Sequence, residues 1–365
     1  MVTITLPYIS SARDGVVRLG SLLEQYGTYE NNGIAFQDVD EIWWMETLGG
    51  HHWMARRVPD EAYVVMPNQL GLDSFDFEDA YGAQHDFMCS ADLKEFVDAH
   101  HLNLALDEEF NPRDAFGSHS DADHVYNTPR AWVLQRFFNP RENIWDGADA
   151  DYRPSDNDLP WCRVPERKIT IEDVKEALSN HYQGTPFDPY AKKGNLAEQG
   201  LYRPIGINRT AQLVCVQIRP YMPEAFRTIE WITFASNVFN AFCPLYANVN
   251  RVPSYVNHTP ANVSTESFYW ASRLIAALAD PHFSENIAHI EHYQENVAWR
   301  GHQLLEHWEA TIREQKAAYG DGSKTLEQAN DALAAMLREE TDRALKLILD
   351  TTSRLMKNRF AREDR

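Results

Sequence analysis

Between residues 42 and 66 the chain runs through three short extended-looking stretches separated by turn residues, and this pattern constrains the fold more than any other feature. The stretches are Ile42–Thr47, His52–Val58 and Ala62–Met66, divided by Gly49-Gly50 and by Pro59-Asp60-Glu61. Strands joined by turns this short run antiparallel, because a parallel pair needs a crossover of a dozen residues or more. A second strand-rich stretch follows at Gln212–Ile218, Glu230–Ala235 and Pro244–Val249. Met1–Tyr8 also reads as a strand, one interrupted at its beginning.

Helices are expected around these segments. Ser10 and Ser11 are good N-caps for a helix to about Tyr26, with Gly27 as its stop. Shorter helices fit Ser90–Ala99, Pro129–Phe138 and, capped by Thr170, Ile171 to about Tyr182. Ser284–Ala318 reads as a long amphipathic helix, broken at Gly320-Asp321-Gly322-Ser323. A last helix follows from a Thr325 cap to about Arg359. The expected class is α+β with layered antiparallel sheet, as residues 1–263, followed by a helical C-terminal region, 264–365. The long helical pair suits packing or a homo-oligomer surface.

The net charge is −20, which argues against nucleic acid and anionic membrane surfaces as partners. With 44% hydrophobic residues the chain can build a large core. No apolar run approaches the ~20 residues of a membrane span, and the start lacks the pattern of a secretory signal. These features suit a soluble cytoplasmic enzyme. Neither GxGxxG nor GxxxxGK[ST] occurs, so phosphate-cradling loops have no support.

Cys89, Cys162, Cys215 and Cys243 are widely spaced, without a CxxC pair, and read as buried, inert thiols. His51 and His52 at a hairpin turn should face opposite sides of the sheet. His289 and His292 lack an HExxH context. His119, Asp121, Asp123 and His124 form a polar cluster that a divalent cation could use, although packing and surface roles are the commoner fate. The acidic run from Asp146 to Asp158 lacks the glycine and final glutamate of a calcium loop. The expectation is a chain with no metal and no cofactor. Asn68, after the third strand, carries an amide that could donate to an oxyanion formed during acyl transfer. A plain turn asparagine is the alternative.

Several ordered segments together resemble the C69 family of cysteine dipeptidases. They are Leu6-Pro7-Tyr8, Ser11–Val16, Asn32–Phe36, Glu41–Thr47, Gly50–Asp60, Met66-Pro67-Asn68-Gln69, His181–Tyr190 and Arg203-Pro204-Ile205. The resemblance implies an N-terminal-nucleophile hydrolase fold with αββα layers. It implies hydrolysis of dipeptides by a cysteine that becomes residue one after processing, with its own α-amine as base. It places Asn68 at an oxyanion-hole amide and Arg209 at the arginine that supports the nucleophile, with Arg203 as rival. No cysteine lies at or beside Met1. The expectation is therefore that the fold is incomplete at its N-terminus, that the nucleophile lies outside this chain, and that the chain alone is inactive. A non-catalytic remnant or scaffold half needing a partner, and an amidase or acylase on the same fold, are the alternatives.

Overall fold

The computed structural model describes residues 1–105, 109–316 and 323–357. They form two compact units, Met1–Ile169 with Leu201–Arg203, and Thr170–Gly200 with the chain from Pro204 onward. Residues 263 and 264, where the sequence turns helical, lie inside the second unit.

The first unit begins with two short turns of helix, α1 (Val2–Thr5) and a 3-10 turn over Leu6–Tyr8, where a strand was expected. Its alternation is too short to impose extension. Helix α2 (Ala12–Tyr26) starts where Ser11 accepts the Asp14 N–H and ends at Gly27, whose φ of 74° favours glycine. Strands β1 (Gly33–Gln37), β2 (Ile42–Gly49) and β3 (His52–Arg57) form an antiparallel meander. Helix α2 lays Val16, Leu19 and Leu23 against Trp43, Met45 and Trp53 on one face. The approach is close, since a Cβ on Gly20 would clash with the Trp53 ring. Trp44 and Met54 serve the other face, packed with Leu72, Phe75 and Trp161.

The third strand of the expected meander does not join it. β4 is only Tyr63–Val64, and it pairs in a separate ribbon with β6 (Cys162–Arg163). The neighbour of β3 is instead β5 (Phe87–Cys89). Alternation shows that Ala62–Met66 is extended and half-buried, but it does not choose a pairing partner. Short helices fill the rest of the unit: α3 (Phe77–Tyr81), α4 (Leu93–Ala99), α5 (Pro112–Phe116), α6 (Asp123–Tyr126) and α7 (Thr128–Phe138).

In the second unit, α8 (Ile171–Leu178) opens on a Thr170–Asp173 capping box. Strands β7 (Gln212–Ile218), β8 (Thr228–Phe234) and β9 (Cys243–Tyr246) make an antiparallel sheet. Helices α9 (Ser254–Asn257), α10 (Phe268–Ala279), α11 (Phe283–Lys316) and α12 (Ser323–Arg354) complete it. Thr325 lies within α12 and does not cap it, while Gly320–Gly322 and Arg359 fall outside the described residues. The two long helices pack together, and α12 lies along β9. There Asn330, buried at 1% exposure, accepts the Tyr246 N–H at 2.8 Å and donates to the Tyr246 carbonyl at 3.0 Å. One side chain thus satisfies both backbone groups of an edge residue. Asn330→Leu should cost about 3 kcal/mol, because two buried peptide groups lose their partners. A urea midpoint equal to wild type would refute that role.

Candidate functional site

The polypeptide leaving β4 forms the wall of a small cavity in the first unit, about 40 Å³ in volume. Met66, Pro67, Gln69 and Gly71 line it from this segment, facing Arg113, His119 and Gln135. Gln69 is fixed by donating from Nε2 to the Ser118 carbonyl at 2.9 Å. Beneath the segment, Glu46 Oε1 accepts from Gly71 N–H at 2.8 Å, Trp44 Nε1–H at 3.0 Å and Leu72 N–H at 3.3 Å. Burial pushes its carboxyl up to about 7 against the pull of those donors. Several cavity atoms have no protein hydrogen-bond partner among the described residues: both ring nitrogens of His119, Gln135 Oε1, Arg113 Nε and Trp161 Nε1. A polar cavity of this size has room for ordered water.

Asn68 sits between Pro67 and Gln69 in a bend beyond β4, exposed and outside the cavity lining. Arg130, on α7, donates from Nη2 to Asn68 Oδ1 at 2.8 Å. A guanidinium has no acceptor, so the contact assigns the oxygen and leaves the amide NH₂ with no hydrogen bond among the described residues. Arg130 is itself held by the Asn127 side chain and the Tyr126 carbonyl. Sequence reasoning missed this arginine, whose 62-residue separation from Asn68 leaves no local signal.

Arg209 is an exposed turn residue of the second unit, with no hydrogen bond or ion pair among the described residues. Arg203 belongs to the same unit as Asn68, and its backbone N–H donates to the Val125 carbonyl at 3.1 Å.

The other candidates have ordinary partners. Asp123 accepts from Ser118, Ser120 and Asn127, which overcome burial and hold its carboxyl down to about 2. His124 pairs with Asn157 at 2.9 Å, and Asp121 is exposed. His51 meets the Glu24 carbonyl at 2.8 Å, whereas His52 meets Asp92 at 3.3 Å and stacks near Phe96. His289 bonds Thr351 at 3.0 Å, and His292 is exposed. In the acidic run, Asp146 pairs with Arg136 and Asp151 accepts the Ile144 N–H, both at 2.8 Å. Among the described residues no group of three or more metal-capable side chains comes together.

All four cysteines are free. Burial raises every one of their thiols, Cys89 to about 11 and Cys243 to about 12, and it outweighs Arg56 near Cys162. No helix among the described residues is long and apolar enough to cross a membrane.

A mixed fold of helices and antiparallel sheets is compatible with acyl-transfer hydrolases. The family model for peptidase family C69 matches residues 1–296, and the chain belongs to that family. It is accordingly a peptidase, a hydrolase of peptide bonds. Its relatives include a dipeptidase of Bifidobacterium longum, 50% identical over all of this chain and 75% of the relative. A probable dipeptidase A of Streptococcus pyogenes is 48% identical over all of this chain and 74% of its own length. Dipeptidase A of Lactobacillus helveticus is 44% identical over 77% of the chain and 56% of its own.

Proposed function

We propose that the chain serves dipeptide hydrolysis by thiol acylation on an N-terminal-nucleophile fold, with Asn68 as an oxyanion donor. The observation that carries this reading is the Arg130–Asn68 contact, which engages Oδ1 and leaves the amide NH₂ with no partner among the described residues. A donor fixed before reaction stabilises a developing oxyanion without reorganising. Arg209 or Arg203 supports the thiolate and the substrate carboxylate.

The nucleophile is none of Cys89, Cys162, Cys215 and Cys243. Their thiols are raised by burial, and an internal cysteine offers no α-amine to act as base. A thiol from polypeptide outside residues 1–365 then completes the site. No metal or organic cofactor takes part. The test is release of free amino acids from a panel of dipeptides, with and without iodoacetamide. Residues 1–365 alone should show no iodoacetamide-sensitive turnover. The same residues completed by an N-terminal extension that begins with a cysteine should show it. Sensitive turnover by residues 1–365 would make an internal cysteine the nucleophile. Cleavage of N-acyl substrates but no dipeptides by the completed protein would replace the dipeptidase reading with an acylase.

A further inference from the structure

The second unit contains a cleft of about 600 Å³, within the ~300–1,000 Å³ range of small-molecule sites. Lys175 on α8 lines it, half-buried. Its ammonium has no hydrogen bond or ion pair among the described residues, although the chain carries 54 acidic residues. Burial pushes Lys175 down to about 7, and nearby Glu176 only partly restores it. An unpaired ammonium at a desolvated wall favours an anion that reaches it.

The rest of the cleft has two further characters. Trp231, Val238, Phe242, Phe283 and Ile287 provide an apolar wall. Glu291 and Glu295 line it from α11, and Glu172 and Glu176 from α8, all four of them exposed. Two of the acids lining the cleft are already engaged: Glu172 pairs with His302 at 2.8 Å and Asp188 with His181 at 2.9 Å. Glu291 and Glu295 have no such partner among the described residues. Gln294 holds the wall by donating to the Val238 carbonyl at 2.8 Å.

We propose that this cleft binds a small zwitterion with an apolar side chain, an α-amino acid or a dipeptide. Its carboxylate meets Lys175, its side chain lies on Phe242 and Val238, and its ammonium faces Glu291 and Glu295. A free amino acid is also what dipeptide hydrolysis releases. The binding stands or falls without turnover, so its failure and that of the dipeptidase reading are separable.

The test is calorimetric titration of the iodoacetamide-treated protein with L-leucine, L-leucinamide, N-acetyl-L-leucine and L-leucyl-L-leucine. L-Leucine should bind at least tenfold more tightly than either blocked derivative. Comparing it with the dipeptide decides which zwitterion the cleft prefers. Lys175→Met should weaken L-leucine at least tenfold and leave L-leucinamide unchanged, and Glu295→Gln should weaken both. Binding at pH 8 should take up a proton in wild type but not in Lys175→Met, since a ligand carboxylate recharges the lysine. Of the other groups facing the cleft, Glu172, Glu176, Asp188, Glu291 and Glu295 are present in both proteins, as is His181. Absence of binding, or equal affinity for the acid and its amide, would overturn the proposal. Should Lys175→Met unfold the unit, the acid–amide comparison in wild type decides alone.

Discussion

Asn68→Ala is expected to lower kcat for dipeptides by ~100-fold or more in the completed protein, with KM changed far less. Removing one preorganised oxyanion donor costs about 3 kcal/mol of transition-state stabilisation while leaving ground-state binding largely intact. Arg130→Met should reproduce part of that loss, because Arg130 fixes the direction of the Asn68 amide. Arg130→Lys should recover some of it, since an ammonium can also donate to Oδ1. Steady-state kinetics on one dipeptide provide the comparison. An Asn68→Ala protein with wild-type kcat would leave Asn68 as a turn asparagine.

Glu46 should make the stability of the chain fall as pH rises. Its carboxyl is pushed from an ordinary 4.5 up to about 7 by burial, against the donors at Gly71, Trp44 and Leu72. Between those two values the folded state holds a proton that the unfolded state has released. The stabilisation is therefore complete below about pH 4.5 and lost as pH rises through about 7, with a span of about 3 kcal/mol. Glu46→Gln keeps an acceptor for the three donors and has no charge to bury. It should match wild type at pH 4.5 and exceed it by about 3 kcal/mol at pH 8. Urea midpoints of both proteins at the two pH values give the answer, because other titrating groups cancel in the difference. A difference that does not vary with pH would show that Glu46 stays in its ordinary range.

Some of this architecture is legible in the sequence because its causes are local. Ser11 and Gly27 bracket α2 through cap chemistry, and Gln212–Ile218 matches β7 residue for residue. The long helices follow their apolar stripes, though Thr325 misled as a start because the chain is already helical from Ser323. Features set by distant contacts were hidden. Ala62–Met66 looks like a third meander strand, yet its β4 segment pairs with Cys162 and Arg163. The same holds for the candidate site. Asn68 could be named from its position after a strand, but Arg130 could not, since its role exists only once α7 is packed. Lys175 carries no motif of its own, and only the surrounding cleft distinguishes it.

Asn330 has a consequence for how the second unit can associate. A sheet normally offers two rows of peptide groups to which another strand can add. On β9, part of that row is occupied by an amide side chain that copies a neighbouring strand's donor and acceptor, with α12 lying behind it. Among the described residues nothing pairs with the outer row of β7, where Val214 and Val216 are 37% and 45% exposed. The two edges therefore differ: at Tyr246 the β9 row is already occupied, whereas among the described residues no strand pairs with the outer row of β7.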